Sequence, residues 1–248
     1  MILTAGDLPS NGEYIAAAAA KPIHLRPLNF IEILEYSNEV TGNSIKNYLR
    51  DLRWLIKLDP NVLGHSLYDL DYLIFMMKVH TIADNKDFQT DIECGTCKTP
   101  NRLDLTMADF QFIDVEPRSE MVSNVLLGGY KFKISVPTIG TFLEVLNTYN
   151  MYQKTERAEI PKLISLFPEF KTIPNDIEYA VFNSSREDIA ILYMLETKYL
   201  SSTKPVKRTC TSCNKEGGMA IGIGSLIASM FRDVLLNNPI DDTQVQFE

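Results

Sequence analysis

The sequence predicts an α+β protein: a mainly helical body with β-hairpins and a split four-cysteine site of zinc-ribbon type. Three observations carry that expectation. Apolar side chains recur at helical spacing, most clearly between Ser44 and Leu58; two stretches instead alternate with period two around short turns; and all four cysteines fall in two Cys-x-x-Cys pairs, Cys94/Cys97 and Cys210/Cys213. With 248 residues, 45% apolar and 23% charged, the chain has material for one sizeable core or two small ones, which excludes a disordered or collagen-like chain.

Residues 1–27 hold Pro9, Gly12, Pro22 and Pro27, spaced so that no useful helix survives except around Ala16 to Ala20, and they are expected to form an extended N-terminal arm. Residues 28–84 make the first part of the helical body. There Ile45, Tyr48, Leu49, Leu52, Leu55 and Ile56 share one helical face between Gly42 and Pro60. Ser66 with Asp69 reads as the N-cap of a helix that is apolar on nearly every side from Leu67 to Val79, so Leu70, Leu73, Ile74 and Met77 should be core. Residues 85–109 form the first knuckle, a hairpin from Phe88 to Leu105 around Cys94 and Cys97. Residues 110–137 carry a second hairpin turning at Gly128-Gly129, in which Tyr130, Phe132, Ile134 and Val136 alternate with Lys131, Lys133 and Ser135; both lysines should face solvent or an acidic partner.

Residues 138–203 are the second part of the helical body. Thr141 and Glu144 suggest a capping box for a helix burying Phe142, Val145, Leu146 and Tyr149, and Ser185 with Asp188 suggests another for a helix reaching about Leu200. Pro161, Pro168 and Pro174 divide the stretch between them. Residues 204–223 form the second knuckle, and residues 224–248 a helix from about Ser225 to Leu236 with an acidic tail at Asp241, Asp242 and Glu248. No repeat of solenoid period is present.

The formal net charge of −8 argues against a general nucleic-acid binder. The longest uncharged run near the C-terminus, between Glu216 and Arg232, is shorter than the ~20 residues that span a bilayer, so no membrane insertion is expected. Asp7 and Glu13 stand where a signal peptide would be positive, which points to a protein made and kept in a cytoplasm.

A two-residue gap lets both sulfurs of a turn face one ion, and two such knuckles complete a tetrahedral set of thiolates. Cys94, Cys97, Cys210 and Cys213 are therefore the candidate ligands of one structural Zn2+, with no open coordination position and no catalytic role. Because residues 98–209 separate the pairs, the site must join distant segments as a long-range crosslink does. The alternatives are two local disulfides, a redox dithiol, or unpaired buried cysteines. Lys98 and Asn214 occupy the position after each pair where glycine often permits a left-handed turn, which asparagine tolerates better than lysine. Lys98, Lys207, Arg208 and Lys215 are close enough in sequence to offset the thiolate charge.

Other constellations have plain structural readings. Asp69 and Asp71, two apart on a helix, point to different faces and favour its positive N-terminal end. His24, His65 and His80 lack ligand spacing and are expected at the surface or at caps. Gly217, Gly218, Gly222 and Gly224 lack a phosphate-loop lysine and dinucleotide spacing. Lys204, Lys207, Arg208 and Lys215 form one basic cluster without interleaved aromatics. No nucleophile with its base is evident, so no enzyme activity, catalytic residue or small-molecule substrate is expected.

Three segments together resemble a known family: Leu8-Pro9-Ser10-Asn11-Gly12 leading to Ile23-His24-Leu25-Arg26-Pro27-Leu28; Leu67-Tyr68-Asp69-Leu70-Asp71-Tyr72-Leu73; and the knuckle Cys94 to Cys97 after that helix, followed by Leu103-Asp104-Leu105. They resemble the baseplate hub and hub-assembly proteins of T-even-like contractile-tailed bacteriophages. The likeness covers the chain to about residue 110, more loosely the hairpin ending in Val136-Pro137-Thr138, and the C-terminal half only in its length and second knuckle. It implies a non-enzymatic structural or assembly component of the central baseplate hub, partnered by other hub or tail proteins. Its place would be the host cytoplasm during assembly and, if retained, the virion tail. The alternative is a zinc-ribbon adaptor for nucleic acid or transcription machinery.

Overall fold

The apolar face between Ser44 and Leu58 forms a helix with those bounds. The computed structural model describes residues 1–14, 21–38, 44–82, 88–106, 109–113, 124–155, 158–183, 185–203, 206–216 and 219–221. After α1 (Phe30–Asn38), α2 (Ser44–Leu58) buries Ile45, Leu52 and Leu55 completely, with Tyr48, Leu49 and Ile56 half-buried beside them. Pro60 then opens a 3-10 turn, Pro60–Gly64, whose first free N–H is met by Asp59: its carboxylate accepts from Asn61 N at 2.9 Å. α3 (Leu70–Ile82) is the central helix, with Leu70, Leu73, Ile74, Phe75 and Met77 all buried.

The entry to α3 differs from the expected capping box. Leu67–Asp69 is a separate 3-10 turn, and Ser66 accepts from Tyr68 N, not from the residue three on. Asp69 turns instead to the N-terminal segment, where its carboxylate accepts from Ser10 N at 2.8 Å and Ser10 Oγ at 2.7 Å, all fully buried. The N-terminal residues are accordingly built into the body. β1 (Ile2–Leu3) pairs with β2 (Ile23–His24), and Leu3, Leu8, Tyr14, Ile23 and Leu25 join the same core as α2 and α3. The alanine run lies outside the described residues.

The second part of the body holds α4 (Ile139–Thr148), α5 (Met151–Lys154), α6 (Glu159–Ser165), α7 (Pro174–Phe182) and α8 (Arg186–Tyr199). The capping box at Ser185 and Asp188 is present as expected. That of Thr141 and Glu144 is not: α4 starts one turn earlier, with Thr138 accepting from Thr141 N at 3.1 Å, while Glu144 pairs with Lys171. The reason is packing. Ile139 is fully buried and Gly140 lies against the Leu63 carbonyl, where an added Cβ would come within 3.1 Å, so the helix must begin at this contact. Phe142, Val145, Leu146 and Tyr149 are buried as the spacing requires. Pro168 and Pro174 each open a helical turn, and α6, flanked by α4, α7 and α8, is buried from Pro161 to Ser165.

Three further ribbons complete the described residues: β3 (Phe88–Glu93) with β4 (Pro100–Leu105), β5 (Asn124–Leu127) with β6 (Tyr130–Lys133), and β7 (Val206–Arg208) with β8 (Met219–Ile221), all antiparallel. Gly128 and Gly129 both have positive φ, 57° and 84°, the condition of a tight hairpin turn whose twist matches its strands. Lys131 and Lys133 are exposed while Phe132 and Ile134 are buried; Tyr130, at the tip, is exposed. No described helix is long and apolar enough to cross a membrane. The helix expected from Ser225 to Leu236 and the acidic tail lie outside the described residues.

Candidate metal centre

Both knuckles are closed by the same hydrogen bonds. In the first, Lys98 N donates to Cys94 O at 2.9 Å and Cys94 N donates to Thr99 O at 3.0 Å; in the second, Asn214 N donates to Cys210 O at 2.9 Å and Cys210 N donates to Lys215 O at 3.2 Å. These turns need a left-handed residue after the second cysteine. Lys98 (φ 61°) and Asn214 (φ 54°) both adopt that conformation, lysine without the short polar side chain that eases it for asparagine. Each knuckle rides on its own ribbon, β3–β4 or β7–β8, so the strand pairing presents the cysteines at one end.

The four sulfurs converge. Cys94 Sγ lies 3.9 Å from Cys213 Sγ, and Cys97 Sγ 3.6 Å from Cys210 Sγ, with all four within 4.8 Å of one another. A tetrahedron with metal–sulfur bonds of ~2.3 Å has edges of about 3.8 Å, so the set could hold one metal ion. All four are free thiols at these separations, which sets aside the two local disulfides. Cys94 and Cys210 are buried against Ile92 and Leu103, while Cys97 and Cys213 face solvent.

Sulfurs this close cannot all ionise unaided. The backbone N–H groups of Cys213 and Ser212 pull the Cys210 thiol down to about 6, and hydrogen bonding to Thr99 also lowers Cys97. Cys213 receives the Lys215 N–H, yet the loss of hydration beside the cluster and the neighbouring sulfurs push it up to about 11. A divalent cation at the centre would replace the retained protons, and four protein sulfurs would leave it no open position.

The flanking cations are partly engaged elsewhere. Arg208 pairs with Asp109 and Lys98 Nζ lies 3.6 Å from Glu93, leaving Lys207 and Lys215 as exposed charges near the knuckles; Lys204 lies outside the described residues. The two aspartates of α3 and its entry are structural, as expected, though by different contacts. Asp69 holds Ser10, and burial pushes its carboxyl up to about 6 against the pull of the Ser10 hydrogen bonds. Asp71 accepts from Tyr48 Oη at 2.6 Å and lies 3.5 Å from the buried Lys162 Nζ, tying α2, α3 and α6 together. A second buried group joins Arg50, Asp51, Lys78 and Tyr36, with both cations on Asp51. His65 is at a cap, closing the Pro60–Gly64 turn with its backbone N–H on Val62 O at 3.1 Å, and it is fully buried, its Nε2 2.8 Å from Lys21 O; His24 is exposed and His80 partly so. Gly217, Gly218, Gly222 and Gly224 lie outside the described residues.

One residue beside the sulfurs escaped the sequence reading. Asn101 is buried on β4 and touches both knuckles. Its signal was available: in the alternation Asn101, Leu103, Leu105 it is a polar residue in the inward phase. Comparison with protein-family models, curated proteins and solved structures found no match.

Proposed function

We propose that this chain is a non-enzymatic structural or assembly component of the central baseplate hub of a contractile phage tail, stabilised by one structural zinc ion. The observation that carries the non-enzymatic part is the closed tetrahedron-sized cluster of Cys94, Cys97, Cys210 and Cys213, which would leave a bound ion no site for substrate. An all-thiolate set suits zinc or an iron–sulfur centre, and two hairpin knuckles facing each other favour a single tetrahedral zinc.

The hub assignment rests on the resemblance of the N-terminal segments. Two of these, Leu8–Gly12 and Leu67–Leu73, form one unit through the buried Ser10–Asp69 contact and the edge-on packing of Tyr14 on Tyr68. Phe30, Ile31 and Leu34 on α1, and Tyr179 and Phe182 on α7, are large apolar side chains left exposed, which suits a protein acting through contacts with hub or tail neighbours. The alternative of a nucleic-acid adaptor is weakened by the pairing of Arg208 with Asp109.

The test is co-purification of the tagged full chain with hub proteins from cells assembling contractile tails, together with mass spectrometry of the purified virions. The reading predicts a stable association with at least one hub protein, and presence in the virion separates a structural part from an assembly factor. Binding to DNA that weakens steeply with salt, with no hub protein retained, would favour the adaptor instead.

A further inference from the structure

Asn101 is 5% exposed and follows Pro100 at the base of the first knuckle, yet most of its side-chain hydrogen bonds reach the second. Its Oδ1 accepts from Thr211 N at 3.2 Å and from Thr211 Oγ1 at 2.7 Å. Its Nδ2 donates to Thr99 O at 2.8 Å and lies 3.6 Å from Cys210 Sγ. The orientation of the amide is decided by its partners. Thr211 N can only donate and Thr99 O can only accept, so the oxygen must face the second knuckle's backbone and the NH2 group must face Thr99 and the sulfur.

The consequences differ for the thiol and the thiolate. Cys210 Sγ lies 3.7 Å from Oδ1 and could donate to it while protonated. Once ionised it can only accept, and the amide N–H at 3.6 Å becomes its donor. Thr99 is also the residue whose carbonyl closes the first knuckle on Cys94, and Thr211 lies between the two cysteines of the second. One side chain therefore spans the two halves of a site whose cysteine pairs are far apart in sequence.

We infer that Asn101 is the positioning residue of the metal centre: it sets the second knuckle against the first and gives the Cys210 thiolate a hydrogen bond that holds it towards the ion. This rests on the metal reading and adds a specific residue to it. Outer-shell partners of this kind orient ligands and tune their donation, and their loss typically costs roughly 10- to 100-fold in metal affinity.

The test uses the full chain with zinc alone, in competition with a chromophoric chelator, and with cobalt as a spectroscopic stand-in. Asn101→Asp keeps oxygen acceptors for Thr211 and removes the N–H donor. It should bind zinc roughly 10- to 100-fold more weakly while its metal-saturated circular dichroism matches the wild type. Its thiolate-to-cobalt charge-transfer band should move to lower energy, because a sulfur relieved of its hydrogen bond gives up an electron more readily; a purely structural change would leave the band in place. Affinity within twofold of wild type with an unmoved band would overturn the inference. Should Asn101→Asp not fold, Thr211→Val, which removes one of the bonds spanning the halves, decides: severalfold weaker zinc binding supports the role and unchanged affinity overturns it. A wild-type chain that takes up neither zinc nor cobalt would overturn the metal reading itself, a failure visible before any variant is made.

Discussion

The helical body buries its side chains in one cluster that takes in Leu105 of β4 and Val206 of β7, whereas the cysteine end of the lobe of β3, β4, β7 and β8 has a small cluster of its own: Cys94 and Cys210 buried, with Ile92 and Leu103, which also pack on the main core, against them. The body is held by apolar burial spread over many residues, so no single contact decides its fold. The lobe has little such burial among the described residues. Its two ribbons are short, and isolated two-stranded hairpins are marginal in water, so their mutual position depends on what the four sulfurs bind. The same ion would also shorten the unfolded chain between Cys97 and Cys210, stabilising a body it does not touch.

Removing the ion should have the largest effect. Chelation, or Cys94→Ser or Cys210→Ser, should lower the melting temperature strongly, since closing a loop of this length is worth on the order of 4 to 5 kcal/mol by chain entropy. Helical circular dichroism at room temperature should nevertheless persist, because the helices keep their own core. An unchanged melting temperature would show that the lobe does not crosslink the chain. The converse change is Leu73→Ala in the middle of α3, which should cost about 2 to 5 kcal/mol in urea unfolding while leaving the metal content intact. Loss of metal in that variant would mean that the two regions are not separable.

A smaller effect belongs to Asp69. Burial raises it in the folded state to about 6 from 3.8, so the folded protein holds a proton that the unfolded chain has released. Stability from this group is therefore present at low pH and lost as pH rises from about 4 to about 6, and Asp69→Asn should remove that decline. Glu32 acts in the opposite sense. Its hydrogen bonds from Arg26 hold it at about 2, so its contribution is present above its ordinary value of 4.5 and lost as pH falls towards 2, in both proteins. Urea unfolding at pH 5 and pH 7 checks the difference; equal pH dependence in the two proteins would contradict the assignment. The smallest effect is Lys98→Gly. Relief of a left-handed lysine, roughly 1 to 2 kcal/mol, is mostly offset by the greater freedom of glycine in the unfolded chain, leaving a gain of under about 1 kcal/mol with the ion retained. A clear loss would mean that backbone strain is not what constrains this position.

The parts legible in the sequence were those written in short-range periods. The bounds of α2 followed from one apolar face, the two glycines placed the turn of β5 and β6, and the Cys-x-x-Cys spacing selected all four candidate ligands. What could not be read depends on partners far along the chain. Ser66 and Asp69 have the spacing of a capping box, but a buried Ser10 competes for the carboxylate and wins it. Thr138 and Thr141 are equally good caps locally, and partners far along the chain favour the first: Gly140 packs against the Leu63 carbonyl and Ile139 N donates to His65 O at 2.8 Å. The proline-rich start of the chain holds only a short 3-10 turn among its described residues, yet Leu3, Leu8, Tyr14, Ile23 and Leu25 are buried in the core of the body. The burial of His65 and Lys162 likewise depends on distant partners, the carbonyl of Lys21 and the carboxylate of Asp71.

X-ray absorption at the zinc edge, with metal analysis of freshly purified, unchelated protein, reads the four-sulfur site itself. About one zinc per chain is expected in a shell of four sulfurs at roughly 2.3 Å, lost when any one of Cys94, Cys97, Cys210 or Cys213 is replaced. A chain free of metal, or a shell containing oxygen or nitrogen with fewer than four sulfurs, would contradict it.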